Sequence, residues 1–268
     1  MRRIFRLSHK SWLCLSLTFI AFTLTLSSCG SSSDEKTVAI VGKTKLSQAT
    51  LNHWMGVVLG GDYRASLSEK APVGLVSEPA NYSRCLSVAE GLVPKVAGKP
   101  KLSRAQLMTK CHQLNTAIRE QALNYVVSVL WSKEEALEQG LGLPNQGEIS
   151  KKLNDLIYDQ FKDPANFRSI IAGQNRSISD VRFLIKRNVL QTQITAKLQA
   201  QAAHLGGGEQ AYYKLVLQSN AKWQARTSCN PGYKAWECKQ YGNSGAPTGE
   251  EAKPPPDVVL EYLVKGVA

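Results

Sequence analysis

The sequence predicts a mainly α fold: an elongated helical domain with a short β-strand at its start. Three observations carry that prediction. Apolar residues recur at steps of three and four through most of residues 103–225. Two such runs are headed by a serine with Gln or Asp three residues later, the spacing of a capping box. Gly, Pro and an Asp-Pro pair cut the pattern into helix-sized pieces.

In chain order, the stretch TVAIVGKTKLSQATLNHWMGVV reads as a strand over Val38–Val41, a turn at Gly42-Lys43 and a first helix capped near Ser47 and running to Val58. Gly60-Gly61, Pro72, Pro79, Pro94 and Pro100 then predict an irregular insertion over 60–100. Ser103 and Gln106 open the strongest helix, with Leu107, Cys111, Leu114, Ile118, Ala122, Tyr125, Val126, Val129 and Leu130 on one side, ending at Gly140 or Gly142. At over thirty residues it spans roughly 50 Å at 1.5 Å per residue, a length that needs packing partners throughout and predicts an elongated fold. After Pro144 a helix places Ile149, Leu153, Leu156, Ile157 and Phe161 together. Asp163-Pro164 separates it from a short helix over ANFRSIIAGQ. Ser177 and Asp180 head another, with Val181, Leu184, Ile185, Val189, Ile194 and Leu198 aligned, until Gly206-Gly207-Gly208. A last helix, GEQAYYKLVLQSNAKWQART, runs into two closely spaced cysteines. Residues 242–256 form a Pro/Gly-rich linker, and the tail 257–268 reads as a strand.

The N-terminus predicts export. Arg2, Arg3, Arg6 and Lys10 precede the apolar run Leu13–Leu26, which is short for a membrane span and the right length for a signal peptide. Leu26-Ser27-Ser28-Cys29 resembles a bacterial lipobox, which implies cleavage after residue 28 and acylation of Cys29, with 29–36 as a tether. The expected location is the extracytoplasmic face of a cell membrane, held by two or three acyl chains. The formal charge of +12, less the four positive charges of residues 1–28, leaves +8. These charges are scattered through helices rather than clustered with aromatics, which argues against nucleic acid and for a solvated surface beside an anionic envelope.

Four cysteines remain after cleavage and lipidation: Cys85, Cys111, Cys229 and Cys238. In an oxidising compartment they predict two disulfides with three possible connectivities, of which the local Cys85–Cys111 and Cys229–Cys238 pairing is the simplest.

The order of these pieces resembles the SurA/PrsA-type extracytoplasmic chaperones, in particular lipoprotein variants of actinobacteria. The matching segments are VAIVGKTKLSQATLNHW, similar to that family's strand–turn–helix opening; AIREQALNYVVSVLWSKEEALEQGLGLPNQGEISKKL, its long helix and the next; and FRSIIAGQNRSISDVRFLIKRNVLQTQITAKL, its following helix pair. Cys85 and Cys111, around a Lys/Pro-rich loop, and the ending KWQARTSCNPGYKAWEC are similar as well. The resemblance covers residues 37–241 and implies a SurA/trigger-factor-like peptide-binding domain whose partners are unfolded or newly exported polypeptides. It departs from the enzymatic members where HLGGGEQAYYKL stands in place of their parvulin domain, so it implies no isomerase activity. The rival expectation is a structural or assembly lipoprotein that docks one folded envelope partner, and a homo-oligomer is compatible with either.

No catalytic residue, metal site or cofactor is read from the sequence: G-x-S-x-G, H-E-x-x-H, a phosphate-binding loop and C-x-x-C do not occur. His112 beside Cys111 sits about 100° around a helix from it, which makes a poor nucleophile–base pair. Glu134, Glu135 and Glu138 read as a solvated face. Trp54, Met55, Tyr125, Trp131, Tyr212, Tyr213 and Trp223 are the side chains expected to line a peptide-binding groove, with core packing as the plain alternative for each.

Overall fold

A computed structural model of the chain describes residues 36–67, 70–72, 74–76, 82–92 and 102–241. The expected signal peptide 1–28, the lipidation site Cys29, the tether up to residue 35, the linker 242–256 and the tail 257–268 lie outside the described residues.

The described residues are mainly helical, with a small sheet built around the expected strand. Strands β1 (Thr37–Val41) and β2 (Thr44–Ser47) form a hairpin through the Gly42-Lys43 turn, with Ala39 opposite Leu46 and Val41 opposite Thr44. The third strand, β3 (Thr227–Cys229), arrives from the far end of the chain and pairs antiparallel with β1, giving the order β2-β1-β3. β2 and β3 are too short and too polar to show an alternating pattern in the sequence. Pairing with β1, whose Val38, Ala39 and Val41 are fully buried, makes them strands.

Seven α-helices follow the hairpin: α1 (Gln48–Leu67), α2 (Ser83–Leu92), α3 (Arg104–Glu138), α4 (Gln146–Leu156), α5 (Pro164–Gly173), α6 (Ile178–His204) and α7 (Gly208–Ala225). Both expected capping boxes are made: Ser103 with Gln106 at α3, and Ser177 with Asp180 at α6. Asn145 caps α4 by accepting from the Glu148 amide at 2.9 Å. Asp163 caps α5, accepting from the amides of Ala165 and Asn166, with Pro164 in the first turn. A single wide turn, Ile157–Phe161, extends α4 before Lys162 takes positive φ and reverses the chain.

The expectation of an irregular run over 60–100 is corrected at two places. Helix α1 continues through Gly60 and Gly61 to Leu67, and α2 occupies 83–92. Gly60 serves close approach rather than a break. A Cβ at Gly60 would stand 2.5 Å from the Gln174 carbonyl oxygen, so only glycine lets α1 pass the end of α5 there. Helix α2 is fixed by the Cys85–Cys111 disulfide, which joins it to α3 with Cα atoms 5.8 Å apart.

Two apolar cores organise these elements. The larger gathers β1, α1, α2 and α3 with the C-terminal residues Trp223, Tyr233, Ala235 and Cys238. The smaller joins α4, α5 and the first half of α6 through Ile149, Leu153, Phe167, Ile171, Val181 and Ile185. The second half of α6 is left to face α3 and α7. After Gly206 and Gly208, both at positive φ, α7 turns back along α6.

Candidate functional site

Three helices converge on a groove of about 380 Å³. Each contributes residues at helical spacing: Ser128, Trp131, Ser132 and Glu135 from α3; Gln191, Ile194, Thr195 and Leu198 from α6; Tyr212, Val216, Ser219, Asn220 and Trp223 from α7. Trp236, from the loop after β3, also lines it.

The end near Glu135 is tightly held. Trp223 is buried and its indole N–H donates to Glu135, as does the Gln139 side-chain amide. The Lys222 ammonium lies 2.5 Å from the same carboxylate and 3.5 Å from Glu138, which also receives Arg226 at 2.7 Å. Burial alone would push the Glu135 carboxyl up, but the contacts from Lys222, Gln139 and Trp223 together hold it below the usual carboxylate range. The expectation that Glu134, Glu135 and Glu138 form a solvated face is therefore corrected. Glu135 is only 4% exposed, Glu134 accepts from the Thr44 hydroxyl at 2.7 Å, and Glu138 alone keeps substantial contact with solvent. The reason is the return of α7, which sets Lys222, Trp223 and Arg226 against this turn of α3.

The aromatic floor is fixed with equal care. Trp131 donates from its indole to the Thr227 hydroxyl at 2.7 Å, and that hydroxyl donates to the Trp223 carbonyl at 2.8 Å. Trp131 and Trp236 meet edge to face with ring centres 5.4 Å apart, and Gln224 donates to the Trp236 carbonyl at 2.5 Å. The Cys229–Cys238 disulfide, Cα atoms 5.6 Å apart, closes the loop that carries Trp236. Of the three connectivities open in the sequence, the structure adopts the two local pairs.

Of the seven expected groove residues, Trp131, Tyr212 and Trp223 come together here. Tyr213 points away, 57% exposed, with its ring 5.9 Å from that of Tyr212. Trp54 and Tyr125 lie in a separate place between α1, α3 and α6, their rings 5.0 Å apart, with Phe183 4.9 Å from Trp54. Met55 is a core residue, 1% exposed, and lines neither place. Cys111 is disulfide-bonded and the His112 ring instead packs 5.8 Å from Tyr82. Sequence reasoning missed the polar half of the groove: Ser128, Ser132, Gln191, Thr195, Ser219 and Asn220. Ser128 with Ser132 and Gln191 with Thr195 keep i, i+4 spacing, but polar residues at that spacing equally mark an ordinary solvated helix face.

Chemically, the groove offers aromatic and aliphatic surface edged by hydroxyls and side-chain amides. Its one carboxylate is already engaged by Lys222. Among the described residues no group of three or more His, Cys, Asp or Glu is placed to hold a metal ion, and no helix is long and apolar enough to cross a membrane. No protein-family model, no curated protein and no solved structure matches the chain.

Proposed function

We propose that this chain is a lipid-anchored extracytoplasmic protein of the SurA/PrsA chaperone type, holding unfolded or newly exported polypeptides in the α3–α6–α7 groove. The observation that carries the reading is the meeting of three helical stripes on the Trp131–Trp223–Trp236 floor. Along α7 the stripe from Tyr212 to Trp223 runs about 16 Å, room for roughly five residues of extended chain. Apolar contact with aromatic rings tolerates many side chains, and the hydroxyl and amide rim can exchange hydrogen bonds with any backbone. That combination suits clients of varied sequence. The lipobox-like Leu26-Ser27-Ser28-Cys29 supports membrane attachment, and the reading assigns no isomerase chemistry to the described residues.

The outer face of α7 favours a second reading, docking of one folded envelope partner, because Tyr213 and Leu217 stand one turn apart at 57% and 58% exposure. A holdase assay separates the two. The protein should suppress aggregation of several unrelated reduced clients at near-stoichiometric amounts, and Tyr212→Ala with Val216→Ser should weaken that protection. Protection of none, with a single envelope protein co-purifying through Tyr213 and Leu217, would favour docking.

A further inference from the structure

The described chain runs out close to the groove. Trp236 lines the groove, and the residues after it are held in place. The Cys238 amide donates to the Ala235 carbonyl, the Tyr241 amide to the Cys238 carbonyl, and the Gln240 side chain to the Cys229 carbonyl. Trp236 and Tyr241 both pack on the larger core. Tyr241 follows Trp236 by five residues, so the two are within about 17 Å of each other even along a fully extended path. The next fifteen residues, GNSGAPTGEEAKPPP, carry no large apolar side chain. Then comes DVVLEYLVKGVA, in which six of the seven residues 258–264 are Val, Leu or Tyr.

Composition and reach both match this second segment to the groove. It reads as a strand, and in extended form Val258, Leu260, Tyr262 and Val264 fall on one side. That apolar row suits the floor made by Trp131, Trp223 and Trp236, and its burial there is favourable. The backbone beside it would meet the rim of Gln191, Thr195, Ser219 and Asn220. Along α7 the floor is about 16 Å long, room for roughly five of these residues. A flexible linker of fifteen residues spans about 20 Å on average, and prolines only lengthen it. Linker span and distance to the groove are therefore comparable, the condition in which a tethered segment reaches an effective concentration on the order of 1 mM.

We propose that residues 258–264 occupy the α3–α6–α7 groove of their own chain, as a tethered occupant that clients must displace. The proposal rests on the reading of that groove as a polypeptide site and adds its regulation. With an intrinsic Kd of about 100 µM, a segment held at about 1 mM fills the groove about ten to one. Weak, short contacts then fail to displace it, while an unfolded polypeptide offering several apolar stretches succeeds.

The test uses the full oxidised chain and the labelled free peptide acetyl-DVVLEYLVKGVA. With a photo-crosslinking residue in place of Val216, irradiation of the purified protein should join that position to residues 257–268 of the same chain, at a yield independent of protein concentration. Leu260→Ser with Tyr262→Ser should abolish this adduct, and the free peptide should bind that double variant about tenfold more tightly than wild type. Should the double variant fail to fold, excess free peptide added to the otherwise unaltered crosslinking chain should suppress the intramolecular adduct. No adduct to residues 257–268, an adduct whose yield rises with protein concentration, or equal peptide affinity of the two chains overturns the proposal. Saturable peptide binding alongside any of these leaves the groove reading standing. No saturable binding of the peptide to either chain removes the groove reading and this proposal with it.

Discussion

Glu237 offers the sharpest prediction about the fold. It stands between Trp236 and the disulfide-bonded Cys238, is 1% exposed, and its Oε2 meets no hydrogen-bond partner among the described residues. Burial pushes its carboxyl from 4.5 up to about 8, against a smaller opposing pull from its own backbone amide. The folded protein thus keeps this proton through a pH range in which the unfolded chain releases it. Stability from this group is fully present below about pH 4.5 and is lost as pH rises towards 8, at up to about 1.4 kcal/mol per pH unit. Between pH 5 and pH 8 the loss is on the order of 3–4 kcal/mol. Glu237→Gln keeps the shape without the charge, so it should match wild type near pH 5 and exceed it increasingly towards pH 8. Urea denaturation of the oxidised protein across that range, followed by tryptophan fluorescence, measures both curves. Glu135 and Asp180, whose folded carboxyls are held low, lose their contribution only as pH falls through the acid limb, outside this window. Parallel pH profiles for wild type and Glu237→Gln would refute the reasoning.

Lys222→Ala removes the closest cation from the buried Glu135 and should destabilise the protein by about 3 kcal/mol, with Glu135→Gln in the same chain recovering part of the loss in a double-mutant cycle. Replacing Cys85 and Cys111 together by serine opens a loop that the chain-entropy relation values at roughly 3.6 kcal/mol, measurable as a fall in urea midpoint with a steeper slope, because the unfolded chain is released from its cross-link. Gly60→Ala drives a Cβ to 2.5 Å from the Gln174 carbonyl oxygen and should cost more than about 1 kcal/mol, whereas Gly56→Ala, with open space around it, should be neutral or slightly stabilising.

Much of the helical framework was legible because its signals are local. The capping boxes at Ser103 and Ser177, the Asp163-Pro164 start and the Gly206–Gly208 turn act within a few residues, and apolar periodicity located α3, α4 and α6 between them. What was hidden depends on contacts across the chain. Strand β3 exists because β1 receives it some 190 residues later, and no pattern within Thr227–Cys229 announces that pairing. Gly60 reads as a breaker until Gln174 is seen against it. The groove shows the same division. Trp131, Tyr212 and Trp223 stood out as large side chains, but their convergence follows from the reversal of α7, and Glu135 turned inward only because Lys222 and Trp223 arrived to meet it. Trp54 and Tyr125 were equally prominent in the sequence, yet they pack around a different cavity.

The proposal of a polypeptide-holding groove is tested most directly in intact cells, with a photo-crosslinking residue in place of Val216, which is half-buried on the groove side of α7. Irradiation should attach many exported polypeptides of unrelated sequence, and Tyr212→Ala in the same chain should reduce them together. A single folded partner captured in high yield, or no adduct while a crosslinker at exposed Leu217 captures one protein, would contradict it.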